Sequence, residues 1–169
     1  IIVSLSGGVD SMVIAFVLSH MTNPSSALFI KNSSNITIYA AHVDYGNRPE
    51  SASEAIYVKR FCEQYNIQFH SVRIEQVTRG ITDRDEYERI SRTVRFQLYK
   101  DILPSFSSGG GVMLGHHRGD LRENVLSNAC KGCGPLDLSG MSPVGKVEGV
   151  PIWRPLLSIE KDVILDFAH

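Results

Sequence analysis

Three tracts of this 169-residue chain concentrate the residue types that do chemistry, and each begins where an apolar run ends. Ser6-Gly7-Gly8-Val9-Asp10-Ser11 follows the run Ile1 to Leu5 and precedes a stretch of helical character. Glycines permit a tight turn and a close backbone approach to a ligand. The unpaired N–H groups of the first helical turn then face that ligand, and the helix dipole favours an anion. Ser6 and Ser11 add hydroxyl donors, and Asp10 is expected to cap the helix or to hold Mg²⁺ against phosphate oxygens. The ending Gly-Lys-Ser/Thr of a Walker A loop is missing, and G-x-G-x-x-G does not occur here.

The second tract is Ala41-His42-Val43-Asp44-Tyr45-Gly46-Asn47-Arg48. The third is Gly115-His116-His117-Arg118-Gly119-Asp120-Leu121-Arg122-Glu123-Asn124. Asp120, Glu123 and Asn124 stand at i, i+3 and i+4, so on a helix they share one face. Two carboxylates there suit a metal ion or a substrate ammonium. A solvated first turn, where acidic residues complement the dipole, accounts for the same spacing. Adjacent His116 and His117 point apart on most backbones, so contact with a nucleotide or a structural role is expected rather than joint metal ligation.

Arg92 and Arg95 lie three apart on a segment with Glu88 four residues before Arg92. Arginine suits bidentate contact with phosphate. An exposed Glu88–Arg92 pair at i, i+4 is the structural alternative. Cys130 and Cys133 have C-x-x-C spacing, but no second pair exists to complete a zinc site.

Strand and helix signals must position these tracts. β-rich runs cover Ile1–Leu5, Ile36–Val43, Ile67–Ile74 and Val112–Leu114. Helical segments are expected from about Asp10, over Glu50–Tyr65, over Arg84–Leu103, over Gly119–Ala129 and from Ser158, whose hydroxyl suits an N-cap. Residues 21–35 read as a loop, and the Gly/Pro-rich tract 132–151 as irregular. The alternation predicts an α/β domain: a doubly wound parallel sheet of about five strands with helices on both faces. Ligands then bind beyond the carboxyl ends of the strands, where the three tracts lie.

A net charge of −1 gives no global basic field to attract nucleic acid. Three cysteines do not make a disulfide framework. No apolar run is long enough to span a bilayer. The chain opens inside a strand and closes inside a helix, and is expected to be one domain, residues 1–169, excised from a longer protein. The expected compartment is the cytoplasm, or an organelle if a transit segment precedes this stretch.

Ser6 to Ser11 matches the SGGxDS signature of the PP-loop ATP pyrophosphatases, which this chain resembles. The resemblance implies an adenine nucleotide alpha-hydrolase-like, Rossmann-like fold. It also implies that the loop holds the pyrophosphate part of ATP while reaction occurs at the α-phosphate. Within that superfamily the chain is similar to tRNA(Ile)-lysidine synthetases, which carry an AHVNHGLR-like tract, an HHxxDxxET-like tract and an RPLL segment, here Arg154-Pro155-Leu156-Leu157. Their arginine helix of the form E-x-x-A-R-x-x-R-Y/F matches at Arg95-Phe96. The resemblance covers essentially the whole chain. Asn47, Gly119 and Asn124 depart from the family's usual residues.

The resemblance implies ATP and Mg²⁺ as cofactors, tRNA and free lysine as partners, and adenylation of a wobble cytidine followed by lysine attack. It assigns ATP binding to Ser6, Gly7, Gly8, Val9, Asp10, Ser11, His42, Gly115 and His116, with Asp10 also the metal ligand. Asp10, Asp120 and Glu123 are the expected catalytic residues. Arg92, Arg95 and Arg154 are the expected substrate-binding residues. Two alternatives stand beside this reading: a tRNA 2-thiolation enzyme using the same adenylation, which Cys130 and Cys133 would serve, and a non-catalytic nucleotide-binding module.

Overall fold

The computed structural model describes residues 1–33, 35–46, 51–75, 82–106, 109–132 and 140–169. Asn47, Arg48 and Cys133 lie outside the described residues. The elements run β1 (Ile2–Ser4), α1 (Val9–Thr22), β2 (Tyr39–Asp44), α2 (Ser51–Gln64), β3 (Gln68–Arg73), α3 (Arg84–Ile102), a 3₁₀ turn (Leu103–Ser105), β4 (Val112–Met113), α4 (Arg118–Cys130), β5 (Val144–Val147), β6 (Val150–Trp153) and α5 (Lys161–Ala168). Among the described residues no helix is long and apolar enough to cross a membrane.

The sheet order is β3-β2-β1-β4-β6-β5. Five strands are parallel, and β5 joins antiparallel to β6 at one edge. That sixth strand corrects the expectation that 132–151 is irregular. Glu148 at φ 51° and Gly149 at φ 84° make a turn whose two central residues both have positive φ, which matches the right-handed twist of a hairpin. The signal was hidden because Val144, Lys146 and the turn sit among glycines and prolines.

Alternation along the central strand sorts the core. Ile2 packs with Phe96, Tyr99 and Ile102 of α3 on one face of the sheet. Val3 packs with Ile14, Ala15, Val58 and Cys62 of α1 and α2 on the other. Ile2 and Val3 are both 0% exposed, and burying such a side chain contributes about 1.5–3 kcal/mol. On α3 the stripe Ile90, Val94 and Leu98 closes against Val43 and Ile74.

Two helix boundaries differ from the sequence reading. Gly8, not Asp10, occupies the N-cap of α1, and it makes no side-chain cap bond. Ser158 lies in the turn before α5, whose N-cap is Glu160. The Leu157 and Ile159 N–H groups bond back to Arg154 and Leu156, so the chain turns once more before the helix starts.

Candidate functional site

β1 is flanked by β2 on one side and β4 on the other, so the chain winds away from it in both directions. The corners after β1 and β4 therefore meet at the topological switch point of the sheet, where α/β proteins bind ligands.

The first corner is braced from within. Ser11 Oγ donates to the Gly8 carbonyl at 2.9 Å and accepts from the Ser6 N–H at 3.1 Å. Ser6 Oγ accepts from the Gly8 N–H at 3.2 Å. Gly7 holds φ +87°, where a side chain would be strained, and a Cβ there would crowd Val58 at 3.3 Å. The two serines thus shape the loop, while the first-turn amides of α1 have no carbonyl partner in their own helix.

The second corner presses onto the first. A Cβ on Gly115 would stand 3.1 Å from the Ser11 nitrogen and 3.2 Å from Asp10 Cβ. His42 comes from β2. It is 3% exposed and its Nδ1 donates to the Leu5 carbonyl at 2.8 Å, since a carbonyl only accepts. That bond fixes the chain immediately before the loop.

Asp10 is neither a cap nor free. Lys161 Nζ donates to its Oδ1 at 2.6 Å and to its Oδ2 at 2.7 Å. Nothing in the sequence flagged Lys161, which stands 151 residues from Asp10 at the start of α5. Its neighbour Glu160 takes both terminal nitrogens of Arg122 at 3.1 and 2.6 Å. One dipeptide therefore ties the start of α5 to the first turn of α1 and to α4.

A cleft of about 1270 Å³ opens beside the two corners. Ser6, His42, His116, Arg92, Arg95 and Arg154 are among its lining residues. Arg154 Nε donates to His116 Nδ1 at 3.2 Å, and Arg154 also binds the Ser142 carbonyl at 2.8 Å. Arginine has no lone pair to offer, so His116 Nδ1 is the acceptor and its proton sits on Nε2. Burial, then the Arg154 charge, lowers the His116 pKa.

Arg92 bonds Glu148 of the hairpin turn at 2.9 Å, and its guanidinium lies 5.0 Å from the Phe96 ring centre. Glu88 pairs instead with Arg84 at 3.1 Å. The Glu88–Arg92 pair of the sequence reading is thus replaced on both sides, because β5 and β6 bring Glu148 over α3.

His117 and Asp120 form the capping box of α4: the Asp120 carboxylate accepts from the His117 N–H at 2.8 Å, and His117 Nδ1 accepts from the Gly119 N–H at 3.0 Å. Asp120 thus has a structural bond of its own, and Glu123 is exposed on the next turn. Neither lines the cleft, whereas Asn124 does. Among the described residues no group of three His, Cys, Asp or Glu side chains is placed to hold a metal. Cys62 is buried, which raises its thiol pKa to about 12 and removes it as a nucleophile. Cys130 is exposed.

A family profile described as the PP-loop domain matches residues 1–169. The chain belongs to the PP-loop domain family. That membership implies ATP binding, and Ser6–Ser11 is the corner that carries the SGGxDS signature. Over 163 residues it is 34% identical to the tRNA(Ile)-lysidine synthase of Nitratidesulfovibrio vulgaris, covering 95% of this chain and 43% of the relative. The Chlamydia trachomatis tRNA(Ile)-lysidine synthase is 34% identical over 165 residues, covering 98% and 46%. The PP-loop domain thus spans less than half the length of these curated relatives. Its fold resembles that of the U34-tRNA thiolase NcsA from Methanococcus maripaludis, with a TM-score of 0.69 at 21% identity over 99% of this chain and 55% of that one. It also resembles the NH3-dependent NAD synthetase from Campylobacter jejuni, with a TM-score of 0.54 at 17% identity over 99% and 61%. At such identities these likenesses concern the fold alone.

Proposed function

We propose that this domain is the adenylating part of a tRNA-modifying ligase of the tRNA(Ile)-lysidine synthetase type. The observation that carries the reading is the junction of the PP-loop corner with Gly115 at the switch point, beside a cleft that holds Arg95 and Arg154. An ATP whose terminal phosphates rest on the α1 amides would have its α-phosphate directed into that cleft. The C2 oxygen of a cytidine attacks that phosphorus, the bond to the β-phosphate bridging oxygen breaks, and pyrophosphate leaves. A lysine ε-amine then attacks C2, and the C–O bond to AMP breaks. The names of the curated relatives support the acceptor and the nucleophile.

Among this chain's residues, the α1 amides and Lys161 neutralise phosphate charge, and Arg154 meets the acceptor side. Asp120 and Glu123 hold the incoming amine from the outer face of α4. Asp10 fits one position on a phosphate-borne Mg²⁺, which commonly takes one or two carboxylates with substrate phosphates and water. It does so only when Lys161 releases one of its oxygens. The ion, when bound, supplies neutralisation of the phosphate charge.

The deciding experiment incubates the full-length protein with tRNA, ATP and lysine, then digests the RNA and identifies its nucleosides by mass spectrometry. Lysidine, with equimolar AMP and pyrophosphate, is the expected result. A 2-thio nucleoside formed on adding a sulfur donor would replace the nucleophile. ATP binding with no pyrophosphate released would reduce the domain to a binding module.

A further inference from the structure

We propose that Ser91 and Arg95 form a carboxylate-binding pocket in the wall of the cleft. Resting on the reaction proposed above, its occupant is the α-carboxylate of the attacking lysine.

Ser91 is 4% exposed and lines the cleft. Its hydroxyl has no hydrogen-bond partner among the described residues. Mid-helix serines usually return their proton to a carbonyl one turn back, and this one does not. One turn further along α3, Arg95 Nε is equally sequestered and equally unpartnered. Positions i and i+4 share a helix face, so two orphaned donors stand on the same wall of the same cleft. Buried polar groups in native proteins are nearly always satisfied, and two adjacent exceptions indicate an external acceptor.

The acceptor's sign follows from the surroundings. Arg95 is cationic, Arg154 lines the same cleft, and His116 beside them is held toward its neutral form by burial and by Arg154. Among the described residues three acids line the cleft: Glu54 and Glu88 are exposed, and Asp44, whose side chain is 13% exposed, accepts from the Gly46 N–H and lies 3.9 Å from Arg73. Four arginines (Arg84, Arg92, Arg95 and Arg154) and three acids lining one cleft suit a small molecule with one carboxylate and a cationic amine. They suit an RNA phosphodiester less, because the lining acids repel a polyanion and the domain carries net charge −1. Arginine and a hydroxyl together match the two oxygens of a carboxylate.

The test compares L-lysine with cadaverine, the same amine chain without the carboxylate, on the full-length protein with tRNA and ATP. Ser91→Ala removes the hydroxyl and leaves a better helix former, so the fold should hold, with a melting temperature equal to or above that of the parent. It should raise the KM for L-lysine about tenfold and that for cadaverine by less than about twofold. Arg95→Gln should raise the lysine KM further, and the serine variant carries the test if the arginine variant does not fold. Equal effects on both amines, or an unchanged lysine KM, would overturn the pocket. A changed KM for tRNA with lysine unaffected would overturn it in favour of a phosphodiester. Calorimetric titration with L-lysine and with cadaverine needs no turnover. If the parent protein forms no lysidine yet binds L-lysine in a Ser91-dependent way, the reaction falls and the pocket stands.

Discussion

Lys161 at the first turn of α5 grips both carboxylate oxygens of Asp10 at the first turn of α1, at 2.6 and 2.7 Å. The pair is partly exposed, 38% and 24%, so its own contribution to stability is about 1 kcal/mol or less. Its position beside the PP-loop matters more than that energy. Lys161→Met should lower the melting temperature by only about 2–4 °C. The same change should reduce kcat/KM for ATP in pyrophosphate release by about 10–100-fold, as expected for loss of a preorganised charge. Lys161→Arg should recover most of the loss. Asp10→Asn should be severely impaired, and normal turnover in that variant would remove Asp10 from the metal and phosphate chemistry.

Gly115 reports on the junction of the two corners. A methyl group there would press on the Ser11 backbone nitrogen and on Asp10 Cβ, neither of which is a flexible tip. Gly115→Ala should therefore shift the PP-loop by a few tenths of an ångström and weaken ATP binding about tenfold. Far-ultraviolet dichroism should stay unchanged. Unaltered affinity in a fluorescent-nucleotide titration would separate the β4 corner from the nucleotide site.

Tyr99 links α3 to the strand that feeds the loop: its hydroxyl donates to Ser4 Oγ at 2.6 Å. Burial, the leading cause, raises its phenol pKa to about 12, and the Ser4 bond and Arg95 offset part of that rise. A phenol whose folded pKa exceeds its unfolded value of 10 contributes stability fully below pH 10 and loses it as pH rises through 12. The shift corresponds to about 2–3 kcal/mol. Denaturant midpoints between pH 9 and 12 should fall in the parent, with a shallower fall in Tyr99→Phe. Tyr99→Phe should cost about 1 kcal/mol at neutral pH through the lost hydrogen bond.

His116 should resist protonation. Burial and then Arg154 lower its pKa from 6.5, so the neutral ring stabilises the fold above pH 6.5 and that contribution is lost as pH falls through the folded value. Arg154→Met should raise the His116 pKa while leaving it below the ordinary value, because burial is the larger cause. Nuclear magnetic resonance titration of the imidazole Cε1–H reads the change directly. An unchanged or lowered value would mean that Arg154 does not act on this ring.

The α/β class, the parallel order and the loop–helix corner were legible because they rest on local signals. An apolar run, two glycines and a helical period specify a strand, a turn and a helix without distant partners. The tracts at Ser6–Ser11 and Gly115–Asn124 could also be assigned to the carboxyl end of the sheet, since parallel strands connected by helices all point the same way. The β5–β6 hairpin escaped notice because its residues carry neither a long alternation nor a familiar two-residue turn.

What only the tertiary structure decided is which charges meet. Local spacing offered Glu88 to Arg92, but the hairpin turn brings Glu148 to Arg92. Asp10 suggested a cap, but α5 packs on α1 and delivers Lys161 to it. Ionic partners are chosen by whichever groups folding brings within a few ångströms, and that depends on packing between elements distant in sequence. By itself the sequence determined the α/β class, the glycine corner after β1 and its place at the strand ends. The pairing of charges around that corner, and the two unpartnered donors in the cleft, arise only once the helices are packed.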